Sequence, residues 1–249
     1  MRFSAVDFTY PPGGLRLTGH DAVLADFTWE VPQGLTVLLG PNGAGKSTLL
    51  ALGATALHPT RGSVSHANLD SRNRADIRPL RQAIGWMPQQ IRPIPGFTAR
   101  EQVAYAGWLK GLGRAAAWAK AIWALEATGL ADQANRLAAQ LSGGQLRRVG
   151  LAQTLAHDAE VLLLDEPTAG LDPAQRAGFR EVVKEIGASR QVLISTHQVD
   201  DLDELFETVI ILDHGRVKFE GSVKGFLGLV SADGPRRAER AYAALVREN

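Results

Sequence analysis

The sequence predicts an α/β fold with a mainly parallel central sheet. Four short apolar runs, bounded by polar or turn residues, have the length and composition of buried strands. They span residues 35–39, 161–164, 192–195 and 209–212. Helical stretches separate the first three runs, and this alternation is typical of a parallel sheet that is covered by helices.

Two further patterns predict antiparallel strands beside this sheet. Residues 3–10 and 25–31 alternate apolar and polar side chains, which indicates a half-exposed antiparallel sheet near the N-terminus. Towards the other end, a turn signal at 213–216 separates the run at 209–212 from residues 217–220. This spacing predicts a hairpin at the edge of the parallel sheet.

The periodicity becomes helical between about 96 and 141. Thr98 and Glu101 have the spacing of a capping box, and helical spacing continues from them to the breaker Gly111. A second, alanine-rich helix is predicted from Arg114 to a cap at Gly129. The α/β core therefore carries a helical insert.

Length and periodicity together predict a single domain. A chain of 249 residues suits one large domain or one domain with an insert. Tyr242, Leu245 and Val246 recur at helical spacing and indicate an amphipathic C-terminal helix. Within 1–249 we expect a core of about 1–95 and 156–230, the helical insert at about 96–155, and the C-terminal helix at about 231–249.

Composition excludes several classes of function. The formal net charge is +1, so no overall basic field suggests a nucleic-acid partner, and we expect none. The chain has no cysteine, which rules out disulfides and cysteine-ligated zinc within it. Its apolar runs are far shorter than the roughly 20 residues of a membrane span, and its first residues lack the apolar core of a signal peptide. Docking onto a membrane protein remains open.

Residues 40–47 fit the phosphate-loop pattern at every fixed position. They follow the predicted strand 35–39 and open a helix near Lys46, the context in which this motif binds phosphate. Backbone amides would cradle the phosphates, Lys46 would reach the β- and γ-phosphates, and the Ser47 hydroxyl would ligate Mg²⁺. The alternative is a chance glycine-rich turn. The predicted nucleotide contacts are Gly40, Pro41, Asn42, Gly43, Ala44, Gly45, Lys46, Ser47 and Thr48.

Two acidic residues end the predicted strand at 161–164. The carboxyl edge of an open parallel sheet is where catalytic groups gather, and Asp165 and Glu166 both lie there. Asp165 suits a Mg²⁺ partner through water, and Glu166 suits a base or water-orienting group beside the γ-phosphate. The alternative is a pair of helix-capping acids before Pro167.

A second small-residue turn precedes this strand. Ser142, Gly143, Gly144 and Gln145 have capping-box spacing and open a helix that continues to residue 155. A helix start with a hydroxyl and spare backbone amides can hold an anion. The same pattern also fits a plain helix cap.

Three other polar residues are candidates for the functional site, and each could instead have a purely structural role. His197 follows the strand at 192–195, so it could contact a γ-phosphate or orient water, or it could simply start a helix over 198–206. Gln89 is, on its chemistry alone, a loop glutamine. Asp172, ahead of Pro173, has the pattern of a helix cap.

Taken in order, these motifs resemble the nucleotide-binding domain of ATP-binding cassette (ABC) proteins over nearly the whole chain. The matching segments are Walker A at 40–47, the Q-loop at 85–89, the signature at 141–145, Walker B at 161–165 with Glu166, the D-loop at 169–172 and the switch residue His197. The resemblance implies a RecA-like P-loop NTPase core. It also implies ATP hydrolysis with Mg²⁺, which Ser47, Asp165 and Gln89 would serve.

The resemblance further implies a composite site between two cassettes. ATP would lie between Walker A of one chain and the signature of a second, identical or paralogous chain, so that Ser142, Gly143, Gly144 and Gln145 would serve the partner's γ-phosphate. Gln89 would relay to separate transmembrane permease subunits near the helical insert, at the cytoplasmic face of the membrane. Asp172 would lie at the dimer interface. Tyr10 is the candidate for stacking on adenine, unless it is a strand-end core residue.

Within this family, the stretch from 97–101 to 108–111 resembles the corresponding stretch of subunits that serve drug or polysaccharide exporters. A soluble single-cassette assembly factor is the main alternative to a transporter subunit. A P-loop kinase of small metabolites would explain 40–47 but would give 141–145 and His197 no role.

Overall fold

The computed structural model describes residues 1–11, 22–197, 205–230 and 236–246. Its strands are β1 (Arg2–Phe8), β2 (Leu24–Glu30), β3 (Leu35–Leu39), β4 (Arg61–His66), β5 (Leu69–Asp70), β6 (Ile84–Met87), β7 (Val161–Asp165), β8 (Gln191–Thr196), β9 (Thr208–Asp213) and β10 (Arg216–Ser222). Its α-helices are α1 (Lys46–Gly53), α2 (Ile77–Ala83), α3 (Ala99–Leu109), α4 (Arg114–Ala127), α5 (Gly143–Leu155), α6 (Pro173–Gly187), α7 (Val223–Leu227) and α8 (Arg237–Val246).

The strands form two sheets. Six strands in the order β10-β9-β3-β8-β7-β6 make the central sheet, which is parallel except for the antiparallel pairing of β10 with β9. Four strands in the order β2-β1-β4-β5 make an antiparallel sheet. The predicted α/β class, the four buried strands, the edge hairpin and the N-terminal antiparallel pair are confirmed.

Alternate residues of the central strands build two apolar layers, as the period of two in a strand requires. Leu38, Leu163 and Leu193 point to a core that is shared with the antiparallel sheet and α1. Val37 and Ile194 point to the other core, which they share with buried residues of the helices on the opposite face. The phosphate loop and the acidic pair therefore lie on a sheet that is packed on both faces.

The helical insert begins with the predicted capping box. Thr98 accepts a hydrogen bond from the Glu101 amide, and the Glu101 carboxylate accepts one from the Thr98 amide at 2.7 Å. At the end of α4, Gly129 has φ 66 and the Leu130 amide donates to the Leu125 carbonyl, which is a Schellman closure. Both helices of the insert thus begin and end close to the predicted positions.

Some elements differ from the sequence prediction. β6 forms the edge of the parallel sheet where the sequence indicated only a loop motif, and the hairpin of β4 and β5 was not predicted. α8 confirms the C-terminal helix within 236–246, and its Tyr242, Leu245 and Val246 pack on the core. The helix considered over 198–206 falls mostly outside the described residues. The boundaries at about 96 and 155 stay a prediction.

Candidate active site

The phosphate loop connects β3 to α1 and depends on glycine geometry. Gly43 and Gly45 have φ values of 87 and 101, in the left-handed region that glycine adopts readily. Lys46 begins α1, and its buried Nζ donates to the carbonyls of Gly40 at 2.6 Å and Pro41 at 3.1 Å. Burial lowers the pKa of Lys46, while the nearby carboxylates of Glu166 and Asp165 act in the opposite direction.

The turn between β9 and β10 packs against this loop and forms a hydrogen bond with it. The Gly215 amide donates to the Ala44 carbonyl at 3.0 Å. A Cβ at Gly40 would lie 2.2 Å from the Leu212 carbonyl oxygen, so only glycine permits the close approach of the two chain segments. The edge hairpin therefore fixes the position of the phosphate loop.

Tyr10 lies beside the start of α1. Its hydroxyl is 3.0 Å from Thr48 Oγ1, and its ring packs edge-on against Phe8 with the centroids 4.9 Å apart. The residue is 52% exposed, so the interpretation of Tyr10 as a core residue is wrong. Residues 12–21, which follow it, lie outside the described residues. The stacking of Tyr10 on adenine stays a prediction.

Asp165 is fixed by the neighbouring strand. It is 3% exposed, and its Oδ1 accepts a 2.6 Å hydrogen bond from the Ser195 hydroxyl. β7 and β8 are adjacent and parallel, with Asp165 paired to Ser195 in the register. A carboxylate accepts several hydrogen bonds, so one bond to Ser195 leaves Asp165 able to hold a water ligand of a cation.

Glu166 is held at three points. Its amide donates to Ser195 at 3.1 Å (carbonyl) and 3.0 Å (Oγ), and its carbonyl accepts from Arg147 Nη1 at 2.7 Å. Its Oε1 lies 2.9 Å from His197 Nδ1, which donates because a carboxylate only accepts. Glu166 also has φ 48, a strain of about 1–3 kcal/mol for a residue with a side chain. Such strain persists only where surrounding contacts impose it.

The capping alternative for the acidic pair is wrong. The next helix, α6, begins at Pro173, and its cap is Asp172, whose Oδ1 accepts from the Gln175 amide at 2.8 Å. Glu166 is therefore not at a helix start. A buried carboxylate that is paired with His197 and lies away from any helix start is a candidate for a functional role.

The second small-residue turn begins α5 as predicted. Ser142 accepts from the Gln145 amide at 3.2 Å, and the Gln145 side chain accepts from the Ser142 amide at 2.9 Å. Ser142 and Gly143 are exposed, whereas a Cβ at Gly144 would meet the Gln175 side chain. This helix start thus presents its first turn to solvent.

The structure brings only part of the predicted set together. Lys46, Asp165, Glu166 and His197 meet at one sheet edge through the contacts above. Gln89 is exposed just after β6. Within the described ranges, no hydrogen bond joins 142–145 to the phosphate loop.

Two site residues escaped the sequence analysis. Ser195 lies at the carboxyl end of a predicted strand, at the same sheet edge as Asp165. Its place in the sequence could therefore have identified it as a site residue. Arg147 is one of two neighbouring arginines on α5, and nothing in the sequence separates it from Arg148. Burial lowers the pKa of the Arg147 guanidinium, and the carboxylates of Glu166 and Asp165 offset part of that effect.

The donor set suits a magnesium ion that keeps waters and takes phosphate oxygens. In the ranges that the structure describes, no group of three or more His, Cys, Asp or Glu residues could form a protein-only cage. The exposed Ser47 hydroxyl and the Asp165 carboxylate supply the few oxygen ligands that Mg²⁺ takes from a protein beside a nucleotide. The residues therefore fit Mg²⁺.

Comparison with known proteins decides the family. The sequence profile of the family described as "ABC transporter" matches residues 24–169, more than half of the chain. The chain belongs to the ABC transporter family. As an ATP-binding cassette of this family it binds ATP and is an ATPase, and the kinase alternative is therefore wrong.

Curated relatives of this cassette include proteins named for drug resistance and for methionine import. It is 36% identical to the ABC transporter ATP-binding protein YxlF of Bacillus subtilis, over 82% of this chain and 68% of that protein. It is 35% identical to the daunorubicin/doxorubicin resistance ATP-binding protein DrrA of Streptomyces peucetius, over 86% and 68%. It is 34% identical to the methionine import protein MetN of Brucella abortus, over 84% and 58%.

Solved structures agree with the family. A dimeric bacterial ABC transporter cassette has a TM-score of 0.79 and 26% identity, over 89% of this chain and 98% of that one. A post-hydrolysis state of a cassette dimer bound to ADP and Pi has the same TM-score, 27% identity and the same coverage. Among the helices of the described ranges, none combines the length and the apolar character that crossing a membrane requires.

Proposed function

We propose that this cassette hydrolyses Mg²⁺-bound ATP in a head-to-tail dimer and thereby drives separate transmembrane permease subunits at the cytoplasmic face of the membrane. The observation that carries the proposal is the buried carboxylate of Glu166. It is held by His197 beside Lys46 and Asp165, at the edge of the sheet where the phosphate loop lies.

Each residue of the site would have its own role in hydrolysis. Glu166 would orient the attacking water and accept its proton, and His197 would hold the carboxylate in the required rotamer. Lys46 would exchange its carbonyl partners in the loop for the β- and γ-phosphate oxygens. Mg²⁺, held by Ser47 and through water by Asp165, would neutralise charge that develops on the phosphates.

The exposed start of α5 supports a composite site. Ser142 and Gly143 present a hydroxyl and backbone amides to solvent, where they would meet the γ-phosphate held by a second cassette. The likeness to solved cassette dimers supports this arrangement. Asp172 would then lie at the interface, and Gln89 would sense the bound nucleotide.

An aromatic surface on the helical insert supports a permease partner. It consists of Tyr105, Trp108 and Trp118, which are between 38% and 51% exposed. Tyr105 and Trp108 stack with their centroids 5.7 Å apart, and together with Trp118 they line a cavity of about 520 Å³. Exposed rigid aromatics of this kind anchor protein interfaces. The transmembrane subunit is the occupant we propose.

Export is the direction we propose. The relatives named for daunorubicin/doxorubicin resistance and for Nod factor export support it, at 35% and 38% identity. Methionine import relatives have similar identities of 34% and 37%, so a transport assay decides between the two directions. Inverted vesicles that contain the full transporter should accumulate its substrate when ATP is added, and loss of preloaded substrate would reverse the assignment.

The variant Glu166→Gln tests the proposed site. It should still bind ATP, because the phosphate loop is unchanged. It should hydrolyse ATP about 10²–10⁴-fold more slowly, the usual contribution of a positioned acid or base, and should form an ATP-stabilised dimer in size-exclusion chromatography. Unchanged turnover would remove Glu166 from the mechanism. Co-purification with no membrane protein, together with normal ATPase activity, would favour a soluble assembly factor.

A further inference from the structure

Arg147 joins two parts of the site that are far apart in the sequence. It lies on α5, five residues after Ser142, and its Nη1 donates a 2.7 Å hydrogen bond to the backbone carbonyl of Glu166. The guanidinium is partly buried, and its charge interacts with both Asp165 and Glu166. A hydrogen bond from a charged donor in such surroundings is stronger than one between neutral groups.

The carbonyl that Arg147 contacts belongs to a strained residue. Glu166 has φ 48, and its amide is already fixed by the carbonyl and hydroxyl of Ser195. The bond from Arg147 fixes the carbonyl end of the same residue. The main chain on both sides of the Glu166 Cα is therefore held, so the direction in which its side chain leaves is set by two other elements, β8 and α5.

We propose that Arg147 is a positioning residue for ATP hydrolysis, which holds the main chain of Glu166 from the helix whose first turn contains Ser142. The neighbouring Arg148 does not share this role. Its Nη1 lies 3.3 Å from the Gly129 carbonyl, at the end of α4. The two adjacent arginines thus bind carbonyls in two different places, and only one of them reaches the catalytic edge.

The proposal has a further consequence, which rests on the proposed dimer. In a head-to-tail pair, Ser142 and Glu166 of one chain serve two different ATP molecules. The Arg147 contact would then be a direct physical link, within one chain, between the two composite sites. A movement of α5 when Ser142 engages a phosphate would be transmitted to the Glu166 backbone.

The first experiment separates catalysis from binding. Arg147→Gln should lower kcat about tenfold to a hundredfold, the effect of misplacing a catalytic group by a fraction of an ångström to 1 Å, and the Kd for a fluorescent ATP analogue should stay unchanged. Arg147→Lys, which can still donate to the carbonyl, should recover part of kcat. Arg148→Gln is the matched control on the same helix and should leave kcat above that of Arg147→Gln. Weaker binding with unchanged kcat, or no recovery by lysine, would overturn the proposal.

The second experiment tests whether Arg147 acts through Glu166. In the Glu166→Gln background, adding Arg147→Gln should reduce the residual rate by a smaller factor than in the wild-type chain, because residues that act together are not additive. Equal factors in both backgrounds would overturn the inference about Arg147. Failure of Glu166→Gln alone to dimerise with ATP would instead count against the proposed function, so the two failures are distinguishable.

Discussion

His197 Nδ1 lies 2.9 Å from Oε1 of Glu166, and this contact joins the ends of two adjacent parallel strands. The carboxylate side chain is 7% exposed, whereas the imidazole is 50% exposed. The histidine therefore stands between a buried acid and solvent. It can hold the acid in one orientation while half of the imidazole surface faces solvent.

Removing this imidazole should impair turnover more than binding. His197→Ala should lower kcat by about 10²-fold, because the Glu166 carboxylate loses the contact that orients it. Steady-state ATPase assays give kcat, and titration with a fluorescent ATP analogue gives the Kd, which should change little. His58→Ala, at an exposed histidine away from this sheet edge, is the control. Equal losses in both variants would argue against a specific role for His197.

Gly215, which binds the phosphate loop, should tolerate no side chain. Gly215 has φ 69, and a Cβ there would lie 2.2 Å from the Val23 carbonyl oxygen. Gly215→Ala should therefore displace the turn that binds the Ala44 carbonyl, and both the melting temperature and the ATP affinity should fall. We expect a loss of about 1–3 kcal/mol in the free energy of unfolding, measured by urea denaturation.

Gly178→Ala provides a matched comparison, in which the free energy of unfolding should rise instead of fall. Gly178 lies in the interior of α6, is exposed, and a Cβ there would meet nothing within 4 Å. Gly178→Ala should raise the free energy of unfolding by about 0.5–1 kcal/mol, because alanine loses less backbone entropy than glycine in a helix. If both variants destabilised equally, the close contact at Gly215 would not be the cause.

The folding stability should decrease as the pH decreases, because of a buried histidine. Burial, and to a lesser extent the charge of Lys110, lowers the pKa of His157 to about 4. The unfolded chain, with a histidine pKa of about 6.5, binds more protons in that window, so stability is lost as the pH falls from about 6.5 towards 4. Asp158 and the Ile84 carbonyl oppose this effect weakly.

Between pH 7 and pH 5 this group should cost about 2 kcal/mol of folding stability. His157→Gln removes the titrating group, so its free energy of unfolding should depend less on pH in the same range. Urea denaturation of both chains at several pH values measures the difference. Parallel pH profiles for the two chains would show that His157 does not titrate as its burial requires.

The sequence predicted most of the core because its signals are local. The run 35–39 coincides with β3, and the capping boxes at Thr98 and Ser142 form as their spacing requires. β4 was missed because, in Arg61–His66, Val64 is the one large apolar residue, so the segment lacks the alternation of a half-buried strand. β6 was missed because it is short and contains a glycine.

The site was predictable in its parts but not in its connections. Asp165, Glu166 and His197 follow strands, so their common edge could be inferred from topology. The contact of Arg147 with the Glu166 carbonyl could not, because it depends on how α5 lies against β7. The strained φ of Glu166 also has no local signal, since glycine, asparagine and aspartate are the residues that usually adopt it.

The most direct test of the composite site is complementation between two inactive chains. Lys46→Ala disables the phosphate loop, and Ser142→Arg disables the start of α5. Each chain alone should have little ATPase activity. An equal mixture should recover at most about a quarter of the wild-type rate, because half of randomly formed dimers are mixed and each mixed dimer keeps one intact site. No recovery in a mixture that demonstrably forms mixed dimers, or full activity in either variant alone, would contradict a site shared between two chains.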